Sequence, residues 1–337
     1  MIWMLLLFVL VLVGEVLMLV WLLFPDPVRE FRDWLLGRTP RDTAPVQFVQ
    51  QLEWPEEAGT RHPEWEVCGE LGEGGLAHVF TVYDKNVGRW WAVKALKSAY
   101  ASNSQIRLRF IDEPTLLSRV ASAGCAPRVV DASAADAVQV WYAMELLHDF
   151  STLRQWVDSN IRDGLRKVLA REAALLVATM HAQGVVHRDL CPKNIMVRCS
   201  ADGEVAMRLI DFGSATLVGS DIGGVKLLHK TTMIGEFAGK FAYAAPEVIR
   251  KGMMASGFSG DVFSLAIVAC EVLLGDVLPT NSIGCVDVSV QGIARIRGML
   301  SGLQYVDSGL RETILACLGP AGTRPTASQL YQRFRGS

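Results

Sequence analysis

The chain has 337 residues and a formal net charge of −2 at pH 7, with 33 basic and 35 acidic side chains. This balance gives no electrostatic reason to expect a nucleic-acid partner. The length allows one large domain or two lobes with an ample core. The seven cysteines are scattered and never form a Cys-x-x-Cys pair. That pattern suits a reducing compartment better than a disulfide framework or a zinc site.

The first element is an apolar run over residues 1–24 that is long enough to cross a bilayer as a helix. It has no basic leader and no small-residue cleavage site, which argues against a signal peptide. A soluble core helix rarely stays apolar over such a length, so we predict a transmembrane helix. Glu15 lies at mid-span, where it is protonated, faces a partner helix, or is simply tolerated near water.

Arginines 29, 32, 38 and 41 follow this run, and no basic residue precedes it. The positive-inside rule therefore places the chain after residue 25 in the cytoplasm, on a single-pass protein of the plasma (inner) membrane. Residues 25–64 hold four prolines among polar residues and read as a juxtamembrane segment and linker.

A glycine-rich turn, Gly72-Glu73-Gly74-Gly75, then separates two strand-like segments. Glycines let a backbone approach phosphate oxygens closely and offer amides to them, although such turns also occur in plain hairpins. A further strand ends at Lys94, and residues 104–120 have helical spacing with Glu113 on the apolar face. Because Pro114 follows Glu113, this helix is expected either to start near Asp112 or to be kinked.

Two motifs in the second half carry the chemistry: His187-Arg188-Asp189-Leu190-Cys191-Pro192-Lys193-Asn194 and Asp211-Phe212-Gly213. Phosphoryl transfer needs a carboxylate near the acceptor hydroxyl and ligands for the metal ions on the phosphates. Asp189 suits the first task, and Asn194 with Asp211 suits the second.

Together these motifs resemble the signature set of protein kinases of the eukaryotic (Hanks) type, and most closely that of bacterial serine/threonine kinases. The resemblance runs from about Trp65 to Phe334. It implies an α+β, bilobal protein-kinase fold behind the transmembrane helix. Residues 65–147 would form a small antiparallel β lobe with one helix, and residues 148–337 a larger helical lobe. Because the chain begins at its predicted span, we expect no extracytoplasmic sensor.

The resemblance also assigns roles for ATP and Mg²⁺. Asp189 would be the base or acceptor-orienting carboxylate, and Asn194 and Asp211 would hold Mg²⁺. Lys94, paired with Glu113, would position the α- and β-phosphates. The remaining nucleotide contacts would come from the glycine-rich turn, the strands beside it and the segment between the lobes: Leu71, Gly72, Gly74, Val79, Ala92, Met144, Glu145, Leu147 and Met196.

The same resemblance assigns structural and regulatory residues in the second lobe. Asp261, at the start of an apolar helix, would bond the backbone of the catalytic loop, and Arg324 would pair with Glu247. The segment between Gly213 and Ala245 would be the activation segment, with Thr231 and Thr232 as the candidate phosphorylation sites.

The expected function is transfer of the γ-phosphoryl group of ATP to protein hydroxyls, with serine or threonine favoured over tyrosine. Two departures bear on this expectation. Cys191 stands where serine/threonine kinases usually carry a lysine, so the cation would instead come from Lys193, and Lys240 replaces a usual threonine. A catalytically weak pseudokinase scaffold and a kinase acting on a small molecule or lipid remain the alternatives.

Overall fold

The computed structural model describes residues 64–159, 161–200, 202–218, 241–252 and 257–337. The predicted transmembrane helix with Glu15, nearly all of the juxtamembrane segment, and Thr231, Thr232 and Lys240 lie outside the described residues. Among the helices of the described part, none is both long enough and apolar enough to cross a membrane.

The first lobe is built on a five-stranded sheet in which every neighbouring pair is antiparallel, with the order β1-β2-β3-β5-β4. Its strands are β1 (Trp65–Glu73), β2 (Ala77–Asp84), β3 (Arg89–Leu96), β4 (Val129–Ala132) and β5 (Trp141–Glu145). Successive side chains of a strand point to opposite faces of its sheet. Val93 and Ala95 therefore pack in a small cluster on one face, with Trp65 against Trp141. Lys94 lies on the face that carries helix α1.

Helix α1 (Ser104–Ala121) begins at Asn103, whose side chain accepts a hydrogen bond from the amide of Ile106. It contains Pro114, so of the two expectations for this helix the start near Asp112 is wrong. A proline inside a helix removes one backbone hydrogen bond. Here the helix is held by a buried face that packs on the sheet and includes Phe110, Leu116, Leu117 and Val120.

The second lobe is helical, as predicted. Its helices are α2 (Leu153–Asp158), α3 (Asp163–Ala182), α4 (Pro246–Lys251), α5 (Phe258–Leu274), α6 (Val290–Ser301), α7 (Ser308–Cys317) and α8 (Ala327–Arg335). Helix α5 is buried from Gly260 to Leu273 and packs against α3 and α7. An almost uniformly apolar helix can only be stable inside a core. It therefore forms the centre around which the lobe is arranged.

Two small sheets bring the sequence motifs together. Strand β7 (Val185–Val186) pairs with β10 (Thr216–Leu217), and β8 (Ile195–Cys199) pairs with β9 (Val205–Leu209), with β6 (Ser151–Thr152) on the other side of β8. The segment 187–194 runs from β7 to β8, and the segment 210–215 runs from β9 to β10. Because both ends of the two segments are joined by paired strands, the segments lie side by side.

Candidate active site

Lys94, Glu113 and Asp211 form a charged cluster between the lobes. The ammonium Nζ of Lys94 lies 2.7 Å from Glu113 Oε1 and 3.1 Å from Asp211 Oδ1. The Glu113 side chain is only 2% exposed, whereas that of Asp211 is 45% exposed. Burial disfavours the ammonium form, but the nearby carboxylates outweigh it and hold the pKa of Lys94 well above its usual value. Lys94 therefore stays positively charged in the cleft.

The segment that carries Asp189 is fixed mainly through its backbone. Asp261, 1% exposed at the start of α5, accepts hydrogen bonds from the amides of His187 and Arg188, each at 2.8 Å. Arg188 and Asp211 both have positive φ angles, 66° and 62°. Few non-glycine residues adopt this conformation, and a long side chain such as arginine does so only where surrounding contacts enforce it. The Asp261 contacts supply that constraint for Arg188, as the resemblance implies.

Asn194 and Phe212 join the two motifs. Asn194 Nδ2 donates to the carbonyl of Asp189 at 2.8 Å, and the amide of Ile210 donates to the carbonyl of Asn194 at 3.0 Å. The Phe212 ring is buried and lies 4.9 Å from the His187 ring. These contacts bring Asp189, Asn194 and Asp211 to one end of the cleft.

The cleft between the lobes has a volume of about 770 Å³, which is within the range of small-molecule sites. Every nucleotide contact expected from the sequence lines it: Leu71, Gly72, Gly74, Val79, Ala92, Lys94, Met144, Glu145, Leu147 and Met196. Glu113, Asp189, Asn194 and Asp211 line it as well. One wall is therefore apolar and one end is charged.

The charged end fits a magnesium–nucleotide. Mg²⁺ prefers oxygen ligands, and Asp211 offers a carboxylate. The nitrogen of the Asn194 amide is engaged by Asp189, so its oxygen is the available ligand atom. A side chain at position 213 would come within 3.4 Å of Asp211 Oδ1 and 3.7 Å of Glu113 Oε2. Gly213 thus keeps the space beside both carboxylates open.

A model of the protein kinase domain matches residues 65–332 of the chain. The chain belongs to the protein kinase family. Over 273 residues this kinase is 31% identical to the probable serine/threonine-protein kinase PkwA of Thermomonospora curvata, an alignment that covers 80% of the chain and 34% of that protein. It is 29% identical over 229 residues to the serine/threonine-protein kinase PknL of Mycobacterium tuberculosis, with 65% and 53% covered. The kinase thus spans about a third to a half of the length of these relatives.

The fold is also that of solved kinases. The crystal structure of the PknI kinase domain of Mycobacterium tuberculosis superposes with a TM-score of 0.56 at 20% identity. The match covers 83% of this chain and 98% of that domain. A likeness at this level of identity concerns the fold, and it agrees with the two lobes described above.

Lys193 is the one expected catalytic residue of the kinase that does not line the cleft as the structure describes it. It is exposed in the short 3₁₀ turn Pro192–Asn194, whereas the neighbouring Pro192 is buried. The turn thus places Pro192 inward and Lys193 outward. Cys191 does not line the cleft either.

The structure also reveals a polar cluster that sequence reasoning missed. Tyr243, just before α4, donates to Glu271 Oε2 at 2.8 Å, and Arg154 contacts both Tyr243 and Glu271. Glu271 is 3% exposed within the apolar helix α5. A glutamate in an otherwise apolar helix was the available signal, because a buried carboxylate requires partners. The cluster ties the segment before α4 to the core of the lobe.

Proposed function

We propose that the kinase transfers the γ-phosphoryl group of ATP to serine or threonine hydroxyls of protein substrates. One observation carries the proposal: Lys94, Glu113, Asp189, Asn194 and Asp211 converge at one end of a cleft of nucleotide size. The names of the relatives support the serine/threonine assignment. Because the kinase aligns with only part of those proteins, their substrates are not carried over to it. The substrate class of this chain is therefore proposed.

Each residue has a physical task in this reaction. Asp189 receives the proton of the acceptor hydroxyl or orients that hydroxyl toward the phosphate. Asp211 and Asn194 hold Mg²⁺, which supplies charge neutralisation to the phosphates when bound. Lys94 pairs with the α- and β-phosphates, and Glu113 fixes the direction of its ammonium group. Preorganised charges of this kind stabilise the transition state without reorganising during the reaction.

A catalytically weak scaffold is the second candidate, and one observation favours it. Cys191 carries no positive charge, and Lys193 does not line the described cleft, so neither position brings a cation to the transferring phosphoryl group in this conformation. A kinase for small molecules or lipids is less favoured, because the segment up to Ala245-Pro246-Glu247 resembles a peptide-binding platform.

Incubation of the full-length chain with labelled ATP and Mg²⁺ tests the proposal. We expect label on serine and threonine of the protein itself and of a generic protein substrate. Label on tyrosine alone would reject the specificity, and ATP binding without transfer would favour the scaffold.

We also propose regulation by phosphorylation of Thr231 or Thr232, which mass spectrometry of the active enzyme would locate. Arg188 and Arg109 supply the supporting charge. Burial lowers the pKa of Arg188; Asp261 opposes this shift, and the neighbouring Arg109 adds to it. Two guanidinium groups in proximity favour an anionic partner such as a phosphate. Active enzyme without phosphate on the activation segment would contradict this regulation.

Lys193 stays a predicted source of positive charge at the γ-phosphate, and it would have to reach the phosphate from its exposed position. If it does so only in the transition state, Lys193→Ala should lower kcat on the order of tenfold and leave KM for ATP nearly unchanged. Steady-state kinetics at varied ATP measure both constants. A kcat equal to that of the wild type would make Lys193 an ordinary surface residue, and exposed Lys85, which follows β2 and does not line the cleft, offers a matched control.

We further propose that residues 1–24 anchor the kinase in the plasma (inner) membrane with its catalytic domain in the cytoplasm. The apolar length and the arginines that follow it support this proposal. Deletion of residues 1–24 should move the kinase from the membrane fraction to the soluble fraction after cell lysis. Retention in the membrane fraction after alkaline carbonate washing would contradict the anchor. If Glu15 faces a partner helix, Glu15→Leu should abolish crosslinking between copies.

A further inference from the structure

The β4–β5 loop, residues 133–140, accepts three hydrogen bonds from one side chain of helix α1. The guanidinium of Arg107 donates to the carbonyl of Ala135 at 2.9 Å and to that of Val138 at 3.4 Å. It also donates to the carbonyl of Ala137. Arginine carries five donors in a rigid planar fork, so it is suited to several carbonyls of one loop. One side chain thus attaches the beginning of α1 to the β4–β5 loop.

The other end of the β4–β5 loop is attached to the end of β3. The amide of Leu96 donates to the carbonyl of Val140 at 3.0 Å, and the side-chain amide of Gln139 donates to the carbonyl of Leu96. Gln139 is 4% exposed and Val140 is 2% exposed, so this attachment is buried. The loop is therefore fixed to β3 at the residues that directly follow the carbonyls bound by α1.

These two attachments connect the elements that carry Lys94 and Glu113. Leu96 follows Lys94 by two residues on β3. Arg107 precedes Glu113 by six residues in α1, which is about 9 Å along a helix. The Lys94 ammonium and the Glu113 carboxylate are themselves 2.7 Å apart. The β4–β5 loop thus forms a second connection between β3 and α1, beside the ion pair.

Apolar packing does not fix the position of α1 by itself. The buried face of α1 includes Phe110 and Leu117, but hydrophobic contact is not directional. A shift of α1 along its axis by a fraction of a turn could keep much of that contact and still separate Glu113 from Lys94. Hydrogen bonds weaken steeply as their geometry worsens, so the three bonds of Arg107 oppose such a shift.

We propose that Arg107 is a positioning residue, which holds α1 on the β4–β5 loop and thereby keeps Glu113 in contact with Lys94. Arg107 does not line the cleft as the structure describes it, so it acts on the reaction through Glu113. The kinetic consequence rests on the proposed function of the kinase. The attachment of α1 to the loop does not, and it can be tested without turnover.

Arg107→Met in the full-length kinase removes the donors and keeps the aliphatic stem. Ala135 and Val138 are exposed, so water can replace the lost donors at their carbonyls and the fold should survive. We expect kcat to fall at least about fivefold, because α1 spends less time with Glu113 against Lys94. KM for the protein substrate should stay unchanged. Steady-state kinetics measure both constants, and a kcat equal to that of the wild type would contradict the proposal.

Arg89→Met is the matched control for this substitution. Arg89 is exposed at the start of β3 and does not line the described cleft. The same chemical change in the same lobe should therefore leave kcat within about twofold. Urea denaturation gives the folded fraction of each variant, and rates are compared per folded molecule. If Arg107 served stability alone, its variant would keep the wild-type rate on that basis, and the positioning role would be rejected.

A double-mutant cycle with Glu113→Gln tests whether Arg107 acts through Glu113. If it does, adding Arg107→Met to Glu113→Gln should lower kcat no further. Single-turnover kinetics measure the slow variants. Effects of the two substitutions that multiply independently would show that Arg107 acts by another route.

Amide hydrogen exchange supplies a readout that needs no turnover. Arg107→Met should speed exchange in residues 108–121 of α1 as well as in the β4–β5 loop, because both lose their attachment. Faster exchange in the loop alone would overturn the proposal, since α1 would then be held without Arg107. If the wild type binds ATP but transfers no phosphate, the proposed function fails, and this measurement still decides whether Arg107 holds α1.

Discussion

Asp211→Asn is expected to lower kcat by roughly 1,000-fold or more, because it removes the carboxylate that would hold Mg²⁺ at the phosphates. Asparagine is the suitable replacement because Asp211 has a φ of 62°, a conformation that asparagine tolerates and alanine does not. The side chain is 45% exposed, so the fold should survive. Single-turnover kinetics at saturating Mg²⁺ measure the loss of turnover, and circular dichroism checks that the fold survives.

Asp149→Asn is the matched control for this substitution. Asp149 has a similar φ of 61°, is exposed, and does not line the cleft. The same chemical change in the same backbone conformation should leave kcat within about twofold, because exposed sites away from special features tolerate substitution. If Asp211→Asn kept near-wild-type turnover, Asp211 would not be a metal ligand.

Arg324→Ala is expected to destabilise the second lobe by about 3–5 kcal/mol, the range found when one partner of a buried ion pair is removed. Arg324 is 1% exposed, and its guanidinium makes a bidentate contact with Glu247. It also donates to the carbonyls of Ser259 at 2.9 Å and Gly319 at 2.7 Å, and lies over the Phe263 ring. Urea denaturation followed by circular dichroism measures the loss. Arg297→Ala, which breaks the exposed pair with Glu312, should cost less than about 1 kcal/mol.

The stability lost in Arg324→Ala should also depend on pH. Burial of Glu247 opposes ionisation, but the hydrogen bonds from Arg324 outweigh it and lower the pKa of Glu247 below its usual value. A group whose pKa is lower in the folded state stabilises the protein above its unfolded pKa, and that stability is lost as the pH falls through the folded value. The difference between wild type and variant should therefore shrink in acid. An equal difference at pH 7 and at pH 3 would show that lost packing, and not charge, accounts for the effect.

The sequence predicted those site residues whose roles few other residue types could perform. Lys94 and Glu113 are in contact as expected, and Asp189, Asn194 and Asp211 meet in the cleft. The buried helix α5 was also predicted, because a long apolar run cannot remain in water. It begins at Phe258, about one turn before the predicted start at Asp261.

Other features could not be predicted from the sequence, because they depend on contacts between residues that are distant along the chain. The proline rule suggested either a late start or a kink for α1. The helix begins at Ser104, and the packing of Phe110 and Leu117 on the sheet outweighs one lost backbone hydrogen bond. Strand β5 covers only Trp141–Glu145 and does not include Gln139. The side-chain amide of Gln139 instead donates a hydrogen bond to the carbonyl of Leu96.

The pairing of β8 with β9 explains the distance along the chain between the two motifs that carry Asn194 and Asp211, the proposed Mg²⁺ ligands. Asn194 precedes the outgoing strand and Asp211 follows the returning one, and the register pairs Ile195 with Leu209. The residues between the two motifs thus form one hairpin, and its length sets their spacing. The turn of the hairpin, near Gly203, lies at the opposite end from the proposed ligands. Residues added in pairs at that turn would lengthen the ladder outward and leave both ligands in register. A pattern search that requires a fixed interval between the motifs would therefore miss chains with the same site and a longer hairpin.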